Sequence, residues 1–99
     1  MKMTFDADVC AAYIRLAPRI GTVADSWPLD GHVAGLDVII DLDAERTVLG
    51  VELLGRIGEV PERILEAIAS GAVAEALTAE GFDVPALRGN PEITVQFLG

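Results

Sequence analysis

Cysteine is nearly absent, since Cys10 is the only one in 99 residues. A lone cysteine closes no disulfide within the chain, and its expected role is that of a small buried hydrophobe. Without a disulfide framework the expected compartment is the cytoplasm. Histidine is as scarce: His32 stands alone beside the Asp30-Gly31 turn. It supplies neither a Cys-His dyad nor a histidine-based metal set, and Ser26 and Ser70 have no nucleophile motif around them. We therefore expect no enzyme, and assign no catalytic residue and no cofactor. Bases are few, with 7 Lys and Arg against 16 Asp and Glu and a net charge of −9. That balance repels a phosphate backbone and disfavours nucleic-acid binding. No apolar run approaches the roughly 20 residues of a membrane helix, so no membrane partner is expected. "MKMTFDADV" brings acids before any apolar stretch, which argues against a secretory signal. Gly31, Gly35, Gly50, Gly55 and Gly58 are scattered as turn and strand glycines rather than gathered into a phosphate-binding loop.

Aromatics are also few, one Trp, one Tyr and three Phe, yet 52% of the chain is hydrophobic. The apolar surface is therefore mostly Val, Ile, Leu and Ala. Residues 1–99 form one domain by length. A domain this small with so much aliphatic surface is expected to hide part of it in a homo-oligomer, most simply a symmetric dimer.

The pattern along the chain changes once. Up to about residue 54 it reads as strands. Lys2 to Phe5 alternates, and "CAAYIRL" sets Ala12, Ile14 and Leu16 against Ala11, Tyr13 and Arg15. "APRIG" breaks the chain, and a weaker strand runs from about Gly21 to Trp27, ended by Pro28. Leu36 to Leu42 is the clearest strand, with Val38, Ile40 and Leu42 inward and Asp37, Ile39, Asp41 and Asp43 outward. "DAER" turns it into a partner strand with Leu49, Val51 and Leu53 in one row, and Gly50 marks a close backbone approach or a bulge.

From Pro61 the period lengthens. Pro61 and Glu62 suit a helix start, and Ser70-Gly71 resets the phase so that Val73, Ala76 and Leu77 form a fresh apolar face. The segment 61–81 is thus expected as two short helices, or one kinked helix, ending at Gly81. "FDVPALRGNPE" reads as a loop, and 92–98 as a last strand with Ile93, Val95 and Phe97 on one face. The fold class is α+β: an antiparallel meander of about five to six strands with the helices packed on one face. The helix pair is no helix-turn-helix, because Ala72 to Glu80 holds two acids and no base.

The acids cluster. Asp25, Asp30, Asp37, Asp41, Asp43, Glu45 and Glu52 lie in a stretch whose only base is Arg46. "DLDAERTVLGVE" matches most of the spacing of an EF-hand calcium loop, but its sixth position is Arg46 rather than Gly, for which the positive φ of that turn is uncommon, and strands flank it instead of helices. A hairpin is the better reading. Asp41, Asp43 and Glu45 remain the weaker alternative, a divalent-cation site at the turn, as part of a small-ligand binding function. The main expectation is a non-enzymatic protein-interaction module with an acidic face for a basic protein partner. Its candidate partner-binding residues are Trp27, Asp37, Asp41, Asp43 and Glu52. Trp27 is placed either at the core edge or as an exposed anchor.

"FDADVCAAYIRL" and "DVIIDLDAERTVLGVELL" together resemble a bacterial family of short proteins, domain of unknown function twenty-two eighty-three, over residues 2–54. The matching positions are Phe5-Asp6, Tyr13-Ile14-Arg15-Leu16, Asp41 with Asp43, and Gly50 with Glu52. The chain departs from the family at Cys10, where Asp is frequent, and at Arg46, where Gly is frequent. The resemblance implies the hairpin and no established activity. Some members are encoded beside small toxin-like proteins, which implies an antitoxin-like role.

Overall fold

The computed structural model describes residues 1–17 and 22–98. Among these residues six strands form one sheet: β1 (Lys2–Asp6), β2 (Ala11–Arg15), β3 (Asp25–Pro28), β4 (Asp37–Leu42), β5 (Val48–Leu54) and β6 (Thr94–Leu98). Two helices, α1 (Pro61–Ala69) and α2 (Ala72–Ala79), and a single 3-10 turn at Pro85–Leu87 lie between β5 and β6. The class is α+β, as the periodicities imply. The weaker strand expected from Gly21 is the four-residue β3, and of the "APRIG" break Pro18–Gly21 lies outside the described residues.

The strand order is β3-β4-β5-β2-β1-β6, so the sheet is not a simple meander. β5 returns to pair with β2, Ile14 opposite Val51, and leaves β3 at the far edge. β6 pairs parallel with β1, Phe5 beside Phe97, which corrects the expectation of an all-antiparallel sheet. Topology supplies the reason. β5 and β1 are both antiparallel to β2, and a crossover through helices delivers the next strand parallel.

One face of the sheet is closed. Met3, Phe5, Ala12, Ile14, Val38, Ile40 and Leu42 alternate inward with Val51 and Leu53, and all are buried. Against them lie Ile64 and Ile68 of α1 and Val73 and Leu77 of α2. Each fully buried aliphatic side chain contributes about 1.5–3 kcal/mol, so this two-layer core dominates stability. Three further members, Phe82, Val84 and Leu87, come from the segment that reads as loop.

The helix break falls where the phase change requires. Gly71 takes φ +88° between α1 and α2, which keeps Val73 and Leu77 buried and Glu75 exposed. At the far end of α2, Gly81 N–H donates to Thr78 O and Phe82 N–H to Leu77 O. These two bonds are a Schellman stop, with Gly81 at φ +91°.

The β4–β5 connection is a hairpin and not a calcium loop. Arg46 N–H donates to Asp43 O and Asp43 N–H to Thr47 O, and the register shifts at Asp41/Leu42. Arg46 does take a left-handed conformation, φ +63°, so the sequence argument that arginine would avoid it is corrected. Its guanidinium lies 5.6 Å from the Trp27 ring centre and 5.5 Å from that of Phe82. Cation–π contact of this kind contributes about 0.5–1 kcal/mol and offsets part of the backbone strain. Cys10 is likewise left-handed, φ +55°, in the β1–β2 turn. Both departures from the family pattern therefore sit where Gly or Asp is at ease.

Candidate functional site

The opposite face of the sheet carries the outward residues of every strand, and neither α1 nor α2 lies over it. Alternation places Asp37, Ile39 and Asp41 of β4 there with Gly50 and Glu52 of β5, Tyr13 and Arg15 of β2, and Lys2 and Thr4 of β1. The pairings Arg15–Gly50, Gly50–Asp41 and Asp41–Ser26 run one row of side-chain positions across four strands.

Asp41 organises this row. The Tyr13 hydroxyl donates to Asp41 Oδ2 at 3.0 Å, and the Ser26 hydroxyl donates to Asp41 Oδ1 at 2.8 Å. One carboxylate thus ties β2 and β3 to β4. The tyrosine reaches it by lying across Gly50, where a Cβ would fall far inside contact distance of the phenol hydroxyl and Cζ. Gly50 is buried, with that ring over it. Burial, the hydrogen bond to Asp41 and the negative charges of Asp41 and Glu52 push the Tyr13 phenol up to about 12, against a smaller opposing effect of Arg15.

The charges on this face are divided unevenly, and Asp6 of β1 is an acid outside the β4–β5 half. Asp41, Asp37 and Glu52 occupy β4 and β5, while Lys2 and Arg15 occupy β1 and β2 beside a concavity of about 480 Å³ lined also by Thr4, Tyr13, Leu16 and Gln96. The face is therefore most acidic over β4 and β5, while β1 and β2 mix Lys2 and Arg15 with Asp6. Glu52 lies opposite both Tyr13 and Ile39 and makes no hydrogen bond or ion pair among the described residues. Asp37 lies with Oδ1 2.8 Å from His32 Nδ1, so the sole histidine stands beside a carboxylate and not beside Ser26 or Cys10.

The candidate residues do not form one surface. Asp37, Asp41 and Glu52 share the open face. Asp43 is a turn residue whose Oδ1 accepts from the N–H of Glu45 at 3.0 Å and of Thr47 at 2.8 Å. The turn set Asp41, Asp43 and Glu45 is thereby divided: Asp41 serves Tyr13 and Ser26, and Asp43 serves the backbone. Among the described residues no three His, Cys, Asp or Glu side chains converge as a metal would need. Trp27 lies on the helix side. It is 39% exposed, packs edge-on against Phe82 at 6.1 Å, and donates its Nε1–H to Glu80 Oε1 at 3.3 Å. Neither Tyr13 nor Ser26 is among the candidate partner-binding residues that the sequence offers. The signal was Gly50 within a strand, which implied a close approach but not by what.

This arrangement defines a class: a small α+β domain with one sheet face closed by its own helices and the other open, polar and ordered. No helix among the described residues is long and apolar enough to cross a membrane. Residues 2–55, from β1 through β5, match the family described as Protein of unknown function (DUF2283). The match covers more than half the chain, which belongs to that family. No curated protein and no solved structure matches the chain.

Proposed function

We propose that the protein is a non-enzymatic interaction module, and that the acidic half of its open sheet face docks a basic segment of a protein partner. The observation that carries this reading is Glu52. It is a carboxylate with no partner among the described residues, on the open face, in the same row as Tyr13 and flanked along β4 by Asp37 and Asp41. A sheet face presents charges at fixed spacing with little entropy left to lose, which favours recognition of a charged partner. The antitoxin-like role implied by the family is the narrower form of the same proposal, with a small basic toxin as occupant.

Reversing Asp37 and Glu52 to Lys tests the reading while leaving the Tyr13–Asp41–Ser26 bonds in place. Quantified capture from the native host by the wild type should fall about tenfold or more in the double variant. It should also weaken as salt screens the face. Equal capture by the two proteins, independent of salt, contradicts the proposal.

A further inference from the structure

The two edges of the sheet are finished differently. β3 is four residues long, carries Asp25 and ends in Pro28, features that deter another strand from adding. β6, "TVQFL", contains neither charge nor proline and runs beside β1 in unbroken register. Its Thr94 N–H donates to Met1 O at 2.8 Å. With a period of two, the backbone groups of Thr94, Gln96 and Leu98 turn toward β1, and those of Val95 and Phe97 turn away from the sheet. The last two side chains of this edge are apolar yet uncovered. Phe97 is 67% exposed and Leu98 46%, and the Phe97 ring meets Phe5 edge-on at 6.2 Å with the rest of its surface open.

We propose that β6 is the edge through which a second copy of this chain adds, antiparallel, about a two-fold axis at Gln96. That register is the one the backbone allows over the whole strand. Val95 of each copy faces Phe97 of the other, and these are the residues whose N–H and C=O point outward, so both pairs exchange two hydrogen bonds. Gln96 faces Gln96 at the centre as a non-hydrogen-bonded pair. On the helix side each contact joins a β-branched side chain to an aromatic one, a favourable cross-strand combination.

Charge selects the same arrangement. The uncharged strand lets two chains of net charge −9 approach where repulsion is least. Next to it, β1 carries Lys2 beside Thr94 and Asp6 beside Leu98. Antiparallel addition sets Thr94 across from Leu98 of the second copy, so the Lys2 end of each β1 lines up with the Asp6 end of the other. A five-residue edge is small beside the roughly 800 Å² per partner of a standard stable interface, so the dimer is weak and concentration-dependent. It extends the sheet and leaves Asp37, Asp41 and Glu52 uncovered, which separates it from the partner surface proposed above.

Light scattering after size exclusion, at about 10 μM and about 1 mM protein, reads the association directly. The mass should rise from 10.4 kDa toward twice that value, and added salt should maintain or strengthen the rise by screening like charge. Phe97→Lys and Leu98→Lys, each checked for native circular dichroism, should stay monomeric at the higher concentration. The Asp37→Lys/Glu52→Lys protein should dimerise as the wild type does. A wild type monomeric at both concentrations, a dimer that persists in both folded β6 variants, or a dimer dissolved by salt overturns the proposal.

Discussion

Leu87→Ala is expected to destabilise the protein by about 3 kcal/mol, within the range of Leu-to-Ala substitutions in packed cores. Leu87 has no exposed surface although it sits in a three-residue turn between the helices and the last strand. It belongs to the same cluster as Met3 and Phe5 of β1 and Leu77 of α2. Truncation removes the transfer energy of the lost methyl groups and leaves a cavity that paired strands and a capped helix cannot fill. Domains of this size are stable by only about 5–15 kcal/mol, so the midpoint of urea unfolding should shift strongly with the slope unchanged. Ile57→Ala is the control. Ile57 is fully exposed, and its replacement should stay within about 0.5 kcal/mol of wild type. Equal midpoints for the two variants would mean that the segment after residue 55 does not close the sheet.

Gly50→Ala should destabilise by about 2 kcal/mol, even though alanine at an unobstructed strand position is favourable. The new Cβ falls within the Tyr13 phenol, so the ring must swing away. It then gives up both its cover over β5 and its bond to Asp41. A buried hydrogen bond contributes about 1 kcal/mol and the displaced ring the rest. The double-mutant cycle isolates this cause. In a Tyr13→Ala background the same glycine substitution should be neutral or slightly stabilising, giving a coupling of about 2 kcal/mol. Additive effects would show that the ring does not lie over Gly50.

Much of this fold was legible because its elements are locally consistent. Val38, Ile40 and Leu42 alternate with Asp37 and Asp41, Ile39 being the one apolar side chain outward, and the bend at Gly71 follows from where Glu75 must point. The closed face was therefore readable strand by strand. Long-range pairing was not. Nothing in "AAYIRL" says that Ile14 will meet Val51, or that β6 will lie parallel to β1 after a crossover. The same holds for the core residues Phe82, Val84 and Leu87, which have no period because they follow a helix stop and a turn.

The open face was legible in part. Alternation put Asp37 and Asp41 outward, but the Tyr13–Asp41 and Ser26–Asp41 bonds span 28 and 15 residues, a distance that no local pattern encodes. Arg46 misled for a related reason. Its left-handed backbone conformation is supported by Trp27 and Phe82, whose proximity is a product of the tertiary fold.

Asp41 orders the open face by holding Tyr13 across the sheet. Tyr13 is the only tyrosine, so phenolate absorbance against pH reports it alone. The folded phenol keeps its proton up to about 12, whereas the unfolded one loses it near 10.0. Its stabilising contribution is therefore whole below pH 10.0 and is lost as pH rises toward 12. The wild-type midpoint should lie near 12, with a clear fall toward 10.0 in Asp41→Asn. A wild-type midpoint at 10.0, unmoved by that substitution, would contradict it.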